Sequence, residues 1–220
     1  MLRATGSRTA HGLLPRLRLL YAGGEAMTPE VVSVWAPGRR MVNGYGPTES
    51  AVTSVRTDIR AGDAVTIGQP VPNVTAYVLD ESSADVPDNE PGELCLGGVG
   101  LARGYWRDSE LTARKFPVHP RYGRLYRTGD LATRAPDGTL TCLGRIDSQV
   151  KVRGYRIELE EIDTRLASCE GVVAAACRVQ TDGGRSALVG FIVHADPAAP
   201  PGRDRIHQEL GRMVPAHMVP

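Results

Sequence analysis

Lysine is nearly absent from this 220-residue chain: Lys115 and Lys151 are the only two, and arginine supplies the other basic side chains. Any lysine-dependent step is therefore confined to two positions. An excess of charge of one sign is also lacking. A net charge of +1 leaves no electrostatic footprint for nucleic acid or an anionic membrane. Cys95, Cys142, Cys169 and Cys177 form no CxxC pair and no zinc-like spacing with the five histidines. That usage fits a reduced, cytoplasmic chain with buried thiols. No apolar run is long enough for a membrane span or a signal segment. Arg3, Arg8, Arg16 and Arg18 imitate a transit peptide, but the segment leads straight into core-like sequence. No internal repeat is evident.

What is present has the balance of a soluble globular protein, 41% hydrophobic and 23% charged. The length accommodates one large domain or two small ones, burying roughly 70% of the unfolded surface. Leu17 to Ala22 reads as a buried strand ending at Gly23-Gly24, and Thr28-Pro29-Glu30 as the start of a helix through Trp35. Met41-Val42-Asn43 is a second short strand, broken at Gly46-Pro47. Strands are expected at Val74 to Leu79, Gly92 to Leu96, Leu125 to Tyr126 and Thr139 to Leu143, with one helix from Asp108 to Lys115. Together they describe a small barrel-like β unit. The pattern then changes to a helix at Glu160 to Ala167, strands at Val172 to Gln180 and Ala187 to Val193, and a loop with Pro197, Pro200 and Pro201. A last helix from Asp204 to Met213 follows, completing a compact α+β module.

Three strings invite chemistry. In Asn43-Gly44-Tyr45-Gly46-Pro47-Thr48-Glu49 the glycines let backbone approach a ligand, and Pro47 stiffens the turn. Thr48 offers a hydroxyl, Glu49 a hard oxygen for magnesium and Tyr45 a flat face for a base. Taken alone, the string reads first as an exposed turn after an edge strand. In Tyr126-Arg127-Thr128-Gly129-Asp130-Leu131, a carboxylate at a strand end can accept two ribose hydroxyls, or simply bond its own turn. In the stretch from Gly144 to Leu159, Arg145, Asp147, Lys151, Arg153, Arg156 and Glu158 are interleaved with Val150, Val152 and Ile157. That alternation marks a short strand pair carrying more fixed charge than a structural hairpin needs.

These strings, in this order, resemble the signatures of amino-acid adenylation domains, the activating units of nonribosomal peptide synthetases (NRPS) within the adenylate-forming superfamily. Gly92-Glu93-Leu94 with the glycines up to Gly104-Tyr105 resembles a further signature, taken as structural. The resemblance implies an α/β fold with a small β-barrel-like subdomain, followed by a C-terminal α+β lid. Residues 1–146 would be the later part of the large core and residues 147–220 the lid. It further implies that Asn43 meets the adenine amino group, Tyr45 the adenine ring, Thr48 the α-phosphate and Asp130 the ribose. Arg145 would assist at the ribose or phosphate, and Gly24, Glu25 and Gly46 would join the nucleotide contacts. By the same resemblance Thr48, Glu49 and Arg145 would carry the catalytic roles, with Glu49 holding Mg2+. Tyr21, Gly23, Gly44, Val52 and Thr53 would line the amino-acid pocket, where two glycines would leave room for a medium-to-large side chain. Asp147 would be the hinge, and Gly154 would face a pantetheine thiol.

The implied reaction joins an amino acid to ATP and then passes it to phosphopantetheine on a peptidyl carrier protein (PCP), with a condensation domain as a further partner. An acyl- or aryl-coenzyme A ligase of the same superfamily, or an inactive remnant that only binds, are the alternatives. Gln149-Val150-Lys151 and Arg156-Ile157-Glu158-Leu159 favour the amino-acid branch. The Gly/Ser/Thr-rich phosphate loop, the aspartate that grips the substrate amino group and the final-motif lysine of the family are not among these residues. His217 stands where the family usually has tyrosine, Glu160 where it has glycine, and Cys142 where it has an aromatic.

Overall fold

The computed structural model describes residues 12, 14–182, 185–196 and 202–220. The prolines at 197, 200 and 201 lie outside the described residues. The chain divides between Asp147 and Ser148 into two compact units.

In the first unit, β1 (Leu19–Gly23) runs parallel to β2 (Arg40–Tyr45), joined by α1 (Pro29–Trp35). Thr28 caps α1 by accepting from Val31 N, with Pro29 just inside the helix where its missing N–H costs nothing. Antiparallel β3 (Val55–Asp58) and β4 (Gln69–Pro70) complete the order β1-β2-β3-β4. Val32, Ala36, Met41 and Ile59 form the core under α1. The buried strand expected at Leu17 to Ala22 is corrected: β1 is an edge strand among the described residues, and Leu19 is half exposed.

The second sheet has β5 (Val74–Leu79), β6 (Gly92–Gly98), β8 (Gly123–Arg134) and β7 (Val118–His119) in the order β5-β6-β8-β7. In addition β9 (Leu140–Arg145) pairs with β8, giving a half-barrel. Val55 from the first sheet joins Val78, Leu94, Leu96, Ala132 and Leu140 in one buried cluster, which fixes the sheets against each other. Between β6 and β7 in the chain, α2 (Ser109–Lys115) starts at Asp108, whose carboxylate accepts from Leu111 N at 2.9 Å. The strand expected at Leu125 to Tyr126 is far longer than its apolar pair, because it passes through a bulge rather than stopping at Gly129. Likewise β9 continues past Leu143 to Arg145.

The second unit opens with a hairpin of β10 (Gln149–Val152) and β11 (Tyr155–Glu158). Its two turn residues, Arg153 and Gly154, both have positive φ, as a two-residue hairpin turn of right-handed twist requires. Next come α3 (Leu159–Ala167), the antiparallel pair β12 (Val172–Asp182) and β13 (Arg185–His194), and α4 (Arg203–Leu210). The expected last helix ends three residues early, at Leu210. Ile157, Ile162, Leu166, Cys177 and Leu210 are the centre of its core. None of the four cysteines is in a disulfide, and Cys95, Cys169 and Cys177 are buried.

Candidate nucleotide site

The loop after β2 is tightly built. A 3-10 turn spans Thr48–Ser50, then Ala51 and Val52 both take left-handed backbone, at φ 60° and 69°. Such a conformation is uncommon for alanine and an outlier for β-branched valine. Buried Ser50 and Ser54 hold it, with their hydroxyls 2.5 Å apart and Ser54 Oγ donating to the Ser50 carbonyl at 2.9 Å. Gly46 is required by this crossing, since a Cβ there would lie 2.7 Å from the Val52 carbonyl. The result exposes Thr48 and Val52 while burying Glu49. Tyr105, expected to be structural only, donates to Glu49 Oε1 at 2.7 Å. Burial, and then this bond, push the Tyr105 phenol pKa up.

Asn43 is buried on β2 and its Nδ2 donates to the Thr66 carbonyl at 2.7 Å. That bond fixes which end of the amide donates, with Oδ1 as the acceptor end. Two residues on, the Tyr45 hydroxyl donates to Asp130 Oδ2 in a very short contact. Burial, followed by the Asp130 charge, drives the tyrosine pKa well up. Arg145 meets the other carboxylate oxygen, Nη1 to Oδ1 at 3.1 Å, and also donates to the Thr128 carbonyl at 2.8 Å. Its remaining donors fork onto Asp147 at 2.8 and 2.5 Å. Burial opposes the Arg145 charge, but Asp147 and Asp130 outweigh it and hold the guanidinium pKa up. Tyr45, Asp130, Arg145 and Asp147 thus form one chain of polar contacts. Asp130 sits mid-strand at the β8 bulge, not at the strand end expected from the Thr-Gly-Asp string.

Four of the five expected pocket residues also meet, while Val52 stands exposed on the loop. Tyr21 donates to Thr53 Oγ1 at 3.1 Å and lies over Gly44, where a Cβ would be 2.1 Å from the Tyr21 oxygen. Gly23 pairs with Gly44 across the parallel strands, and its Cβ would be 2.4 Å from the Gly44 carbonyl. Protein atoms thus lie where a Cβ at either glycine would stand. Gly24, at φ +86°, and half-buried Glu25 form the turn leaving β1. In the second unit Gly154 is exposed at φ +83°, so the hairpin turn already accounts for it as glycine. Among the described residues no three His, Cys, Asp or Glu side chains gather as a metal cluster, and no helix is long and apolar enough to cross a membrane.

The fold is that of an adenylation domain. Residues 1–106 match the sequence model of the family described as AMP-binding enzyme, and the chain belongs to that family, among the adenylation domains of nonribosomal peptide synthetases. It is 46% identical over 213 residues to a linear gramicidin synthase of Brevibacillus parabrevis; that match covers 94% of this chain and 4% of the synthase. The solved structure of IdnL1 superposes with a TM-score of 0.84 at 31% identity, covering 95% of this chain and 45% of IdnL1. Holo-PA1221, an NRPS protein containing adenylation and PCP domains bound to a vinylsulfonamide inhibitor, superposes with a TM-score of 0.75 at 31% identity over 84% of this chain and 34% of its own. The chain therefore spans a small fraction of the synthase and less than half of either solved protein.

Proposed function

We propose that these residues supply the nucleotide-contacting wall and the lid of an amino-acid-activating ligase. That enzyme joins an amino-acid carboxylate to the α-phosphate of ATP, releases pyrophosphate, and passes the acyl group to phosphopantetheine on a carrier protein in the cytoplasm. The observation that carries this is the convergence of Tyr45, Asp130 and Arg145 from three separate strands. Asp130 is then the acceptor for the ribose hydroxyls, with one oxygen braced by Tyr45 and the other by Arg145. Asn43, its Nδ2 bonded to Thr66, offers Oδ1 to the adenine amino group, and the Tyr45 ring lies beside it. Thr48, exposed on its 3-10 turn, reaches the α-phosphate.

Glu49 fits Mg2+, which typically takes one or two protein carboxylates and fills its shell with water and substrate phosphates. When bound, the ion supplies charge stabilisation at the phosphates. Glu49 itself is held in place by Tyr105. Asp147 acts as the hinge before residues 148–220, and the lid presents Gly154 to the pantetheine thiol. The 220-residue stretch by itself should support no amino-acid-dependent pyrophosphate exchange, since neither Lys115 nor Lys151 stands in a final-motif position. Titration with ATP and with inorganic triphosphate tests the reading. ATP should bind with dependence on Asp130, and equal binding of triphosphate would remove the adenosine site.

A further inference from the structure

The bulge that presents Asp130 has an unusual support. Arg127 pairs with Cys95 and Leu131 with Glu93, so Thr128, Gly129 and Asp130 together face the single residue Leu94. A three-against-one bulge removes ladder bonds, and its backbone groups need other partners. Thr128 Oγ1 donates to the Leu94 carbonyl at 2.7 Å and accepts from Asp130 N at 3.0 Å. Ile146 N donates to the Gly129 carbonyl at 2.9 Å. The Gly129 N–H is taken by a side chain: it donates to Glu93 Oε1 at 2.9 Å. The other oxygen, Glu93 Oε2, accepts from Arg127 Nε at 2.8 Å and Nη2 at 2.5 Å. The Glu93 side chain is only 10% exposed.

We propose that Glu93 is a positioning residue for the ribose-binding carboxylate, anchoring the Gly129 amide so that the bulge points Asp130 at the nucleotide. The inference rests on the assignment of Asp130 to the ribose. Glu93 bonds Arg127 and the Gly129 amide, so its role is exerted through the bulge. Gly129, at φ +73°, is also closely packed at its Cα: a Cβ there would lie 2.7 Å from both Arg145 Nη2 and Asp147 Oδ2. Gly129 is thus held at its amide by Glu93 and packed at its Cα against the Arg145–Asp147 fork. Loss of the Glu93 anchor lets the bulge collapse toward regular ladder pairing, which rotates the Asp130 carboxylate away from Tyr45 and Arg145. Arg127 serves as the counter-ion to this largely buried carboxylate and fixes its second oxygen.

The test compares ATP with 2′,3′-dideoxy-ATP as probes, binding to the full chain and to Glu93→Gln, Glu93→Ala and Asp130→Asn. Wild type should favour ATP about tenfold, the scale of charge-assisted hydrogen bonds to the ribose. Glu93→Ala should bring that ratio close to one and change dideoxy-ATP affinity less than about twofold. Glu93→Gln keeps an acceptor for Gly129 and loses the fork from Arg127, so its ratio should fall between the two. It also serves as the test if the alanine variant does not fold. An unchanged ratio in both Glu93 variants, with a collapsed ratio in Asp130→Asn, overturns the role of Glu93 and leaves the Asp130 assignment intact. Equal loss of both nucleotides in the Glu93 variants makes Glu93 a general stabiliser and overturns the proposal. A wild-type chain that binds neither nucleotide, or does not distinguish them, removes the Asp130 assignment and this inference with it.

Discussion

Arg145 grips Asp147 with a two-point fork, Nε to Oδ1 at 2.8 Å and Nη2 to Oδ2 at 2.5 Å. The same guanidinium reaches Asp130, so the proposed hinge and the proposed ribose acceptor share one cation. Rotation of the backbone at Asp147 must either carry the fork along or break it.

In an intact enzyme carrying these residues, Asp147→Pro fixes φ near −65° and should trap one lid orientation. Adenylate formation should survive and carrier loading be lost. Asp147→Ala removes only the fork and should retain both. Pyrophosphate exchange and labelled amino acid on the carrier measure the two steps separately. Parallel loss of both steps in the proline variant would falsify the hinge assignment.

Asp130→Ala in the same enzyme should raise the KM for ATP by about tenfold to a hundredfold, the cost of charge-assisted bonds to the ribose. The KM for the amino acid should change little. Steady-state kinetics with each substrate varied decides this, and an unaltered ATP KM removes the assignment.

Glu49→Gln should lower turnover and shift activity to higher magnesium concentration. Tyr105→Phe deletes the donor to Glu49 and keeps the carboxylate, so its loss should be smaller, about tenfold or less. Magnesium titrations of the reaction rate distinguish the two. Identical magnesium curves for wild type and Glu49→Gln would exclude a metal ligand at this position.

Gly154→Ala places a Cβ on backbone at φ +83°. It should destabilise residues 148–220 by about 1 kcal/mol, seen in denaturant midpoints. Gly154→Leu adds bulk at an exposed turn and should further block carrier loading. A leucine variant that still loads the carrier fully would leave the glycine with its turn role alone.

Burial, with Glu93 nearby and Arg127 opposing, pushes the Cys95 thiol up to about 12 from an ordinary value of 9.0. Below pH 9 the thiol is protonated in both folded and unfolded chains. Between about pH 9 and 12 only the unfolded chain loses the proton, so stability falls as pH rises through that window, by at most about 1.4 kcal/mol per pH unit. Cys95→Ala should flatten this alkaline slope in denaturation measured from pH 8 to 10.5. An unchanged slope would show that Cys95 does not titrate in this way.

Local features were legible because neighbouring residues encode them. Thr28-Pro29 and Asp108 start helices through their own caps. The Val150, Val152 and Ile157 alternation marks the β10–β11 hairpin, and Gly154 closes it. The family strings likewise pointed to Tyr45, Asp130 and Arg145 one by one. No string shows that Tyr45 and Asp130, 85 residues apart, share a hydrogen bond, or that Thr66 orients Asn43 and Tyr105 braces Glu49. Nor does the sequence reveal that Tyr21 fills the space above Gly44, or that Glu93 anchors an amide 36 residues away. Residue types and short-range caps are set by the chain itself. Which buried donor meets which acceptor is decided only when packing of the two sheets brings distant strands within hydrogen-bond reach.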